Sequence, residues 1–306
     1  MTVIATSDET RAVDPPARRP RQRAPHAGVL SHVFIIVMAV LWVIPLLFTL
    51  YVSLRPESDT NAHGYFSLAH SFTFSNFSDA WTQGQLFHYF INSVKITVPA
   101  VVLTLFFASM VAFVVSRFST TFNLVMLLLF TAGNLLPQQV LLAPLFKIYT
   151  NVLLPYSVAG SGELYDSTIG VVAINVAFQT GFCVFVLSNF MRTLPYELTE
   201  AAMVDGASIW TQYWRITMPL CRPALAALAT LLTTWIYNDF FWALTLMSTG
   251  DKRPITSALQ NLQGQFQTNQ NLLSAAAFIV AVPTLAVYVA LQKQFVAGLT
   301  LGSTKG

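Results

Sequence analysis

The residues best placed to meet a ligand lie in one short stretch, Trp235 to Trp242. Trp235, Asn238, Asp239 and Trp242 are spaced i, i+3, i+4 and i+7, the spacing of one stripe along a helix. Two indole faces beside an amide and a carboxylate suit a sugar, whose C–H faces stack and whose hydroxyls hydrogen-bond. Asp239 is the only acid within any predicted apolar span, and a carboxylate there is costly unless it faces a cavity or a partner. A plainer reading gives the tryptophans to an interfacial belt and makes Asn238 and Asp239 glue between helices. Gln138, Gln139 and Gln179 either line a passage or bond a neighbouring helix. None of this is bond-making chemistry. Cys183 and Cys221 have no metal or redox spacing. His63, His70 and His88 share a loop without a zinc-type spacing. No phosphate loop of the form G-x-x-x-x-G-K-[S/T] occurs, so any ATP-driven work must come from a partner. The chain is expected to bind no metal and no cofactor of its own.

The elements that must position these residues are apolar. Of 306 residues, 55% are hydrophobic and 9% charged, against roughly 25% charged in soluble domains. That composition predicts an all-α polytopic membrane protein. The net charge of +3 comes from dispersed basic residues, which does not suggest nucleic acid. Residues 1–27, rich in Arg and Pro, read as a disordered basic tail. The apolar run from Val29 to Leu54 is too long for a signal-peptide core and reads as the first span, with Pro45 as a kink. With the polar, aromatic loop that follows it makes up residues 28–88. A core at 89–295 holds five more spans, near Tyr89–Val115, Phe122–Phe146, Thr168–Phe190, Ala224–Leu246 and Leu272–Phe295, and residues 296–306 form a tail. The third span carries Asn134, Pro137, Gln138, Gln139 and Pro144, so it is expected to line a passage.

Orientation follows from the cations. With the N-terminus inside, inner segments hold eleven, namely five arginines in the tail plus Arg117, Arg192, Arg215, Arg222, Lys293 and Lys305. Outer loops hold four, Arg55, Lys147, Lys252 and Arg253, and Lys95 snorkels near an outer span end. Both termini are therefore expected in the cytoplasm, together with residues 193–222.

That cytoplasmic stretch has an internal design. Pro195 can open a helix, and Glu197 suits its positive end. Glu200, Ala201 and Ala202 are helix formers, Gly206 offers a position without a side chain, and Ser208 can cap a second helix. In that helix Trp210 and Trp214 share one face, and Ile209, Tyr213 and Ile216 another. Pro219 is expected to end it. The small residues Ala202, Gly206 and Ala207 let another protein approach closely.

The pattern Glu200-Ala-Ala-x3-Gly206-x9-Ile216-x-Met218-Pro219 resembles the EAA loop of ABC importer permeases. Met218 stands where the family usually has Leu, a volume-conserving change. FSNFSDAW at 74–81, Ile91-Asn92-Ser93, WIYNDFFWAL at 235–244 and QFVAGLTLGSTKG at 294–306 are similar to marks of the MalG-like branch, the smaller of two permeases in sugar importers. The resemblance covers the chain from about residue 30 onward. It implies the type I importer fold with six transmembrane helices. It also implies an ATPase dimer that docks on the elbow at Glu200, Ala201, Ala202, Asp205, Gly206, Ile216 and Pro219, and that binds the ATP and Mg2+ itself. The further partners it implies are a MalF-like second permease, an extracytoplasmic solute-binding protein and the bilayer of a bacterial cytoplasmic membrane. The loop at 153–167 looks longer than the branch usually carries, and it is expected to face the binding protein.

The expected function is inward transport of a sugar or oligosaccharide by a subunit that is not an enzyme. In the best-known maltose importer of this family, sugar contacts within the membrane come from the larger permease. Glycerol phosphate or a glycerophosphodiester is the alternative cargo, which a basic cavity would favour. An ion-driven secondary transporter would need ionisable relays inside the membrane. A membrane scaffold would have no use for a proline-broken polar span, and a plain interfacial helix is the rival account of the elbow.

Overall fold

A computed structural model describes residues 28–118, 121–262 and 269–300. The expected tails at 1–27 and 301–306 lie outside the described residues. Among those described there is no strand, only one bridge between Leu153 and Glu163. The chain divides into two compact units, one ending at Phe48 and one starting at Thr49. The first unit is the apolar part of α1 (Val29–Ser53), whose side chains from Val29 to Leu47 are exposed, Phe34 by 65% and Trp42 by 77%. Such a surface suits lipid.

In the second unit, α2 (Glu57–His63) and α3 (Ser75–Gln83) lead into α4 (Leu86–Arg117). Then follow α5 (Thr121–Asn134), α6 (Leu142–Asn151), α7 (Thr168–Arg192) and α8 (Glu197–Val204). The chain ends with α9 (Ile209–Leu220), α10 (Arg222–Tyr237), α11 (Phe241–Leu246), α12 (Ile255–Ala258) and α13 (Gln270–Thr300). Four helices, α1, α4, α7 and α13, are long and apolar enough to cross a membrane. Six spans result if each of two bent pairs counts as one.

The first of those bends falls in the third span, at one of the prolines expected to break it, and a separate gap interrupts the fifth, which was expected to be continuous. The third is α5 and α6, bent by 94° where Pro137 forces extended backbone before the 3₁₀ turn Gln138–Leu141. The fifth, expected over Ala224–Leu246, stops at Tyr237 and resumes at Phe241.

The trunk is the α4–α7 pair, against which α5 and α10 also pack. Along α4, Ala100, Thr104, Ala108 and Ala112 recur every fourth residue, and all four are completely buried. Apolar side chains gain nothing from leaving lipid for another helix, so association rests on close van der Waals fit, which small residues permit. On α7, a Cβ at Gly181 would collide with the Phe130 carbonyl of α5, which fixes glycine there. The outward face of α4 keeps Val98, Val102 and Phe107 exposed.

The loop after α1 folds onto its neighbours, as its length suggests. Arg55, expected to be a plain outer-loop charge, is fully buried. Its guanidinium meets the Asp59 carboxylate at 2.8 and 2.9 Å and donates to the carbonyls of Gly64, Tyr65 and Ser67 at 3.2 Å. That guanidinium holds the Asp59 carboxyl below the usual carboxylate range, outweighing the opposing effect of burial. Asn271 of α13 ties the same segment down through Val52, Arg55 and Thr60.

Ala108→Leu should overpack the trunk and lower stability by about 1–3 kcal/mol, seen as a lower melting temperature in lipid nanodiscs. Val102→Leu, on the exposed face, should leave the melt unchanged.

Candidate functional site

The elbow between α7 and α10 is built by local chemistry. Pro195 stands just outside α8, and Tyr196 accepts the first turn's bonds from Thr199 and Glu200. Glu197 and Glu200 occupy that first turn, where the exposed N–H groups favour negative charge. The helix ends in a Schellman motif: Gly206 N–H bonds the Met203 carbonyl at 3.0 Å and Ala207 N–H the Ala202 carbonyl at 2.9 Å. Gly206 adopts φ +73°, and its open surroundings make this a backbone requirement alone. Ser208 caps the next helix as expected, accepting from Thr211 N–H at 3.2 Å.

Two expectations for this elbow are corrected. Pro219 does not end α9. Residues Gln212–Thr217 widen into a π-turn, which accommodates a proline ring that would clash in a regular helix. The break falls at Cys221 with a bend of 72°, where Pro223 in the first turn of α10 has no N–H to carry the ladder on from α9. The small-residue face also does not all point outward. Ala202 is 6% exposed, because α8 packs on the π-turn, whereas Ala201 is exposed.

What the elbow presents is a surface that is acidic and apolar on α8 and basic at Arg215. Glu197, Glu200 and Asp205 are exposed beside Met203 and Val204, and Trp210 and Trp214 are exposed beyond them. Ile216 is half-buried and Pro219 exposed. Tyr213, by contrast, is buried, with its Oη 2.7 Å from Ser109 Oγ of α4 and its ring against Phe113. Gln212 Nε2 closes the Ala207 carbonyl at 2.9 Å. The Ser109–Tyr213 bond joins elbow to trunk. No pattern in the residues pointed to it, since both groups are ordinary in their helices.

The expected ligand stripe is not a stripe. α10 ends at Tyr237, so Trp235 and Trp242 sit on different helices, and Trp242 is buried against Phe178. Asp239 Oδ1 accepts from Trp242 N–H and Oδ2 from Asn175 Nδ2, each at 3.2 Å, while its carbonyl accepts from Thr256. Asn238 is exposed and donates back to the Thr234 carbonyl at 2.9 Å. Trp235 is 42% exposed and lies against Phe182. Asn175, which the residue pattern did not single out, joins α7 to this break.

Beside the bend, α5, the turn after it and α7 line an open groove of about 450 Å³, with Met126, Phe130, Asn134, Leu141, Phe178 and Gly181 among its walls. Asn134 donates to the Phe178 carbonyl at 3.1 Å. Gln138 and Gln179 are half-buried and Gln139 exposed, and none of the three is among the residues lining this groove.

At the far end of the trunk from the elbow, Asp166 is 7% exposed. Burial alone would raise its pKa, but bonds from the Thr249 hydroxyl and N–H and from Lys252 Nζ outweigh that and lower it.

Helices of membrane-crossing length, broken at defined points and joined by a polar elbow, make up a membrane permease. The chain belongs to the family of binding-protein-dependent transport system inner membrane components, whose model matches residues 89–300. It is 30% identical over 264 residues to the melibiose/raffinose/stachyose import permease protein MelC of Bacillus subtilis, covering 86% of this chain and 91% of MelC. It is 28% identical over 278 residues to the diacetylchitobiose uptake system permease protein NgcG of Streptomyces coelicolor, covering 90% and 88%. A bacterial ABC transporter involved in the import of alginate, an acidic polysaccharide, contains a chain that superposes with a TM-score of 0.72. That match, at 20% identity, covers 88% of this chain and 96% of the other, and it shows a shared fold. The resemblance to ABC importer permeases thus holds, and the chain is a multi-pass inner-membrane component with the all-α importer fold.

Gly206→Ala should cost about 1–2 kcal/mol, the strain of a left-handed backbone with a Cβ, and Gly206→Asn less; thermal melts of the two variants check the order. Asp166 carries a second expectation. Its depressed folded pKa contributes stability above the ordinary carboxyl value of about 3.9, and that contribution is lost as pH falls through the folded value. Melting curves from about pH 6 down to about pH 3 should therefore fall more steeply for wild type than for Asp166→Asn.

Proposed function

We propose that this chain is the MalG-like permease subunit of a binding-protein-dependent ABC importer that carries a sugar or oligosaccharide inward. The observation that carries the reading is the elbow, an exposed acidic and apolar handle bonded to the trunk through Tyr213 and Ser109. A cleft on a separate ATPase dimer grips α8. Glu200 pairs with a cation there, Ala201 allows close approach, and the Gly206 turn keeps the handle compact, with Asp205 and the half-buried Ile216 beside it. ATP and Mg2+ stay on the ATPase. When the dimer closes, the handle moves as a rigid body and pulls the trunk through the Tyr213 anchor, so the spans tilt between inward- and outward-facing arrangements. The subunit does no covalent chemistry.

In this reading both termini and the elbow lie on the cytoplasmic side of a bacterial membrane, which the excess of cations, eleven inside against four outside, supports. Of those four, Arg55 is bonded to Asp59, Lys252 to Asp166 and Arg253 to the Met247 carbonyl, so they serve the fold of the outer loops. The loop at 153–167 would face the solute-binding protein. Its exposed Leu153, Tyr156 and Val158 supply an apolar tip. A MalF-like second permease completes the passage. Sugar as cargo is supported by the substrates named for MelC and NgcG, neither of which is a glycerol phosphate. Trp235 and Asn238, exposed beside Asp239, are open to a passing ligand, with the exposed Gln139 and the half-buried Gln138 and Gln179 as further candidates along the path.

A cysteine at exposed Ala201 should crosslink to the ATPase in the assembled importer, and a cysteine at buried Ala202 should not. ATP-dependent uptake should fall when the first crosslink forms. Labelling of the Ala201→Cys variant from the outer side only, or no crosslink to any ATP-hydrolysing subunit, would sink the proposal.

A further inference from the structure

We propose that Asp59, His63 and His70 form a binding site for a late first-row divalent metal ion, Zn2+ or a close relative, on the loop after α1. The residue spacing alone pointed away from metal, because Asp59 was not counted and His70 is brought in by the fold. Asp59 and His63 lie four apart on α2, and the chain then turns back at Gly64 to bring His70 beside them. Asp59 Oδ1 is 3.2 Å from His63 Nδ1 and 3.2 Å from His70 Nδ1, and the three candidate ligand atoms all lie within 4.8 Å of one another. Tetrahedral ligands at about 2.0–2.1 Å from zinc stand about 3.3–3.4 Å apart. The two carboxylate-to-imidazole separations therefore already match.

The carboxylate is prepositioned. Its other oxygen, Oδ2, is held by Arg55 at 2.8 Å and by the His70 N–H at 3.4 Å, which leaves Oδ1 for an ion. Ligating carboxylates are commonly braced by such outer bonds. The His63 and His70 rings stack at 4.1 Å, and both present Nδ1 to the same oxygen. Their side chains are 45% and 65% exposed, so water can complete the coordination. Two imidazoles and one carboxylate favour zinc, cobalt, nickel or copper over calcium or magnesium, which take all-oxygen sets.

In the ordinary account of this cluster, two Nδ1–H groups share one oxygen; an ion would replace both protons. Arg55 cancels the carboxylate's charge, which limits the affinity to the micromolar class. The ion would staple the loop segment holding His70 to α2. This inference does not depend on the proposed cargo or topology.

The test uses the full-length chain in lipid nanodiscs, purified without a polyhistidine tag and stripped with chelator. Titration with Zn2+ by calorimetry, and with Co2+ by visible absorption, should show one site per chain of micromolar affinity. His63→Gln and His70→Gln, which keep a donor for Asp59, should each weaken it at least about tenfold. His88→Gln should not, since His88 pairs instead with Asp251. Unchanged binding in the His63→Gln/His70→Gln double variant would overturn the proposal, as would no stoichiometric binding up to about 1 mM, far weaker than structural zinc sites bind.

Discussion

Inside a bilayer no water meets a backbone group left unpaired, so the chain must be helical there and every break must be covered by protein. The structure has two breaks within the expected spans and a third at the end of the elbow, and each is closed by a particular side chain or backbone group. At the α5–α6 bend, Asn134 turns its amide to α7. Between α9 and α10, the buried Cys221 keeps the ladder, donating to Thr217 and accepting from Leu225 at 2.9 Å each. Between α10 and α11, Asn238 covers the end of one helix while the Asp239 carboxylate covers the start of the next. Several of the polar residues that stand out in an apolar sequence are thus the fittings of its breaks.

Those breaks have meaning only against something that does not bend. The trunk supplies it: the run Ala100, Thr104, Ala108 and Ala112 is fully buried along α4, and a glycine permits the close approach of α5 to α7 at Gly181. Close packing makes such a seam stiff, and motion is thereby referred to the bends. The Tyr213–Ser109 bond sits on one side of the Cys221 bend, so a force on the exposed elbow reaches α4 without passing through the break. Trunk, anchored elbow and bent helices are the parts that the proposed lever would use.

Much of this was legible from residue types. The ends of α4 and α7 fall within a few residues of expectation, because long apolar runs bounded by arginine leave little choice. The Gly206 turn and the Ser208 cap follow from chemistry that acts over four or five residues. What escaped was decided at longer range. Pro219 looked like a stop, yet a π-turn absorbs it and the break falls beside Pro223. Ala202 looked outward, yet only the packing of α8 on the π-turn decides which alanine is covered. The small-residue ridge of α4 was readable as a four-residue repeat but is invisible to hydropathy. Asp59 and His70 are eleven residues apart and meet because Arg55 gathers the carbonyls between them.

The break at Asp239 is held by a single carboxylate. Asp239 was read either as a ligand-binding acid or as glue, and its bonds to Asn175 and Trp242 N–H are glue. An ionised carboxylate has about four acceptor positions, and these bonds use two of them. A hydroxyl could therefore be accepted without undoing the break, whereas buried Trp242 could join in stacking only if α11 moved away from Phe178. The buried indole keeps the break in shape.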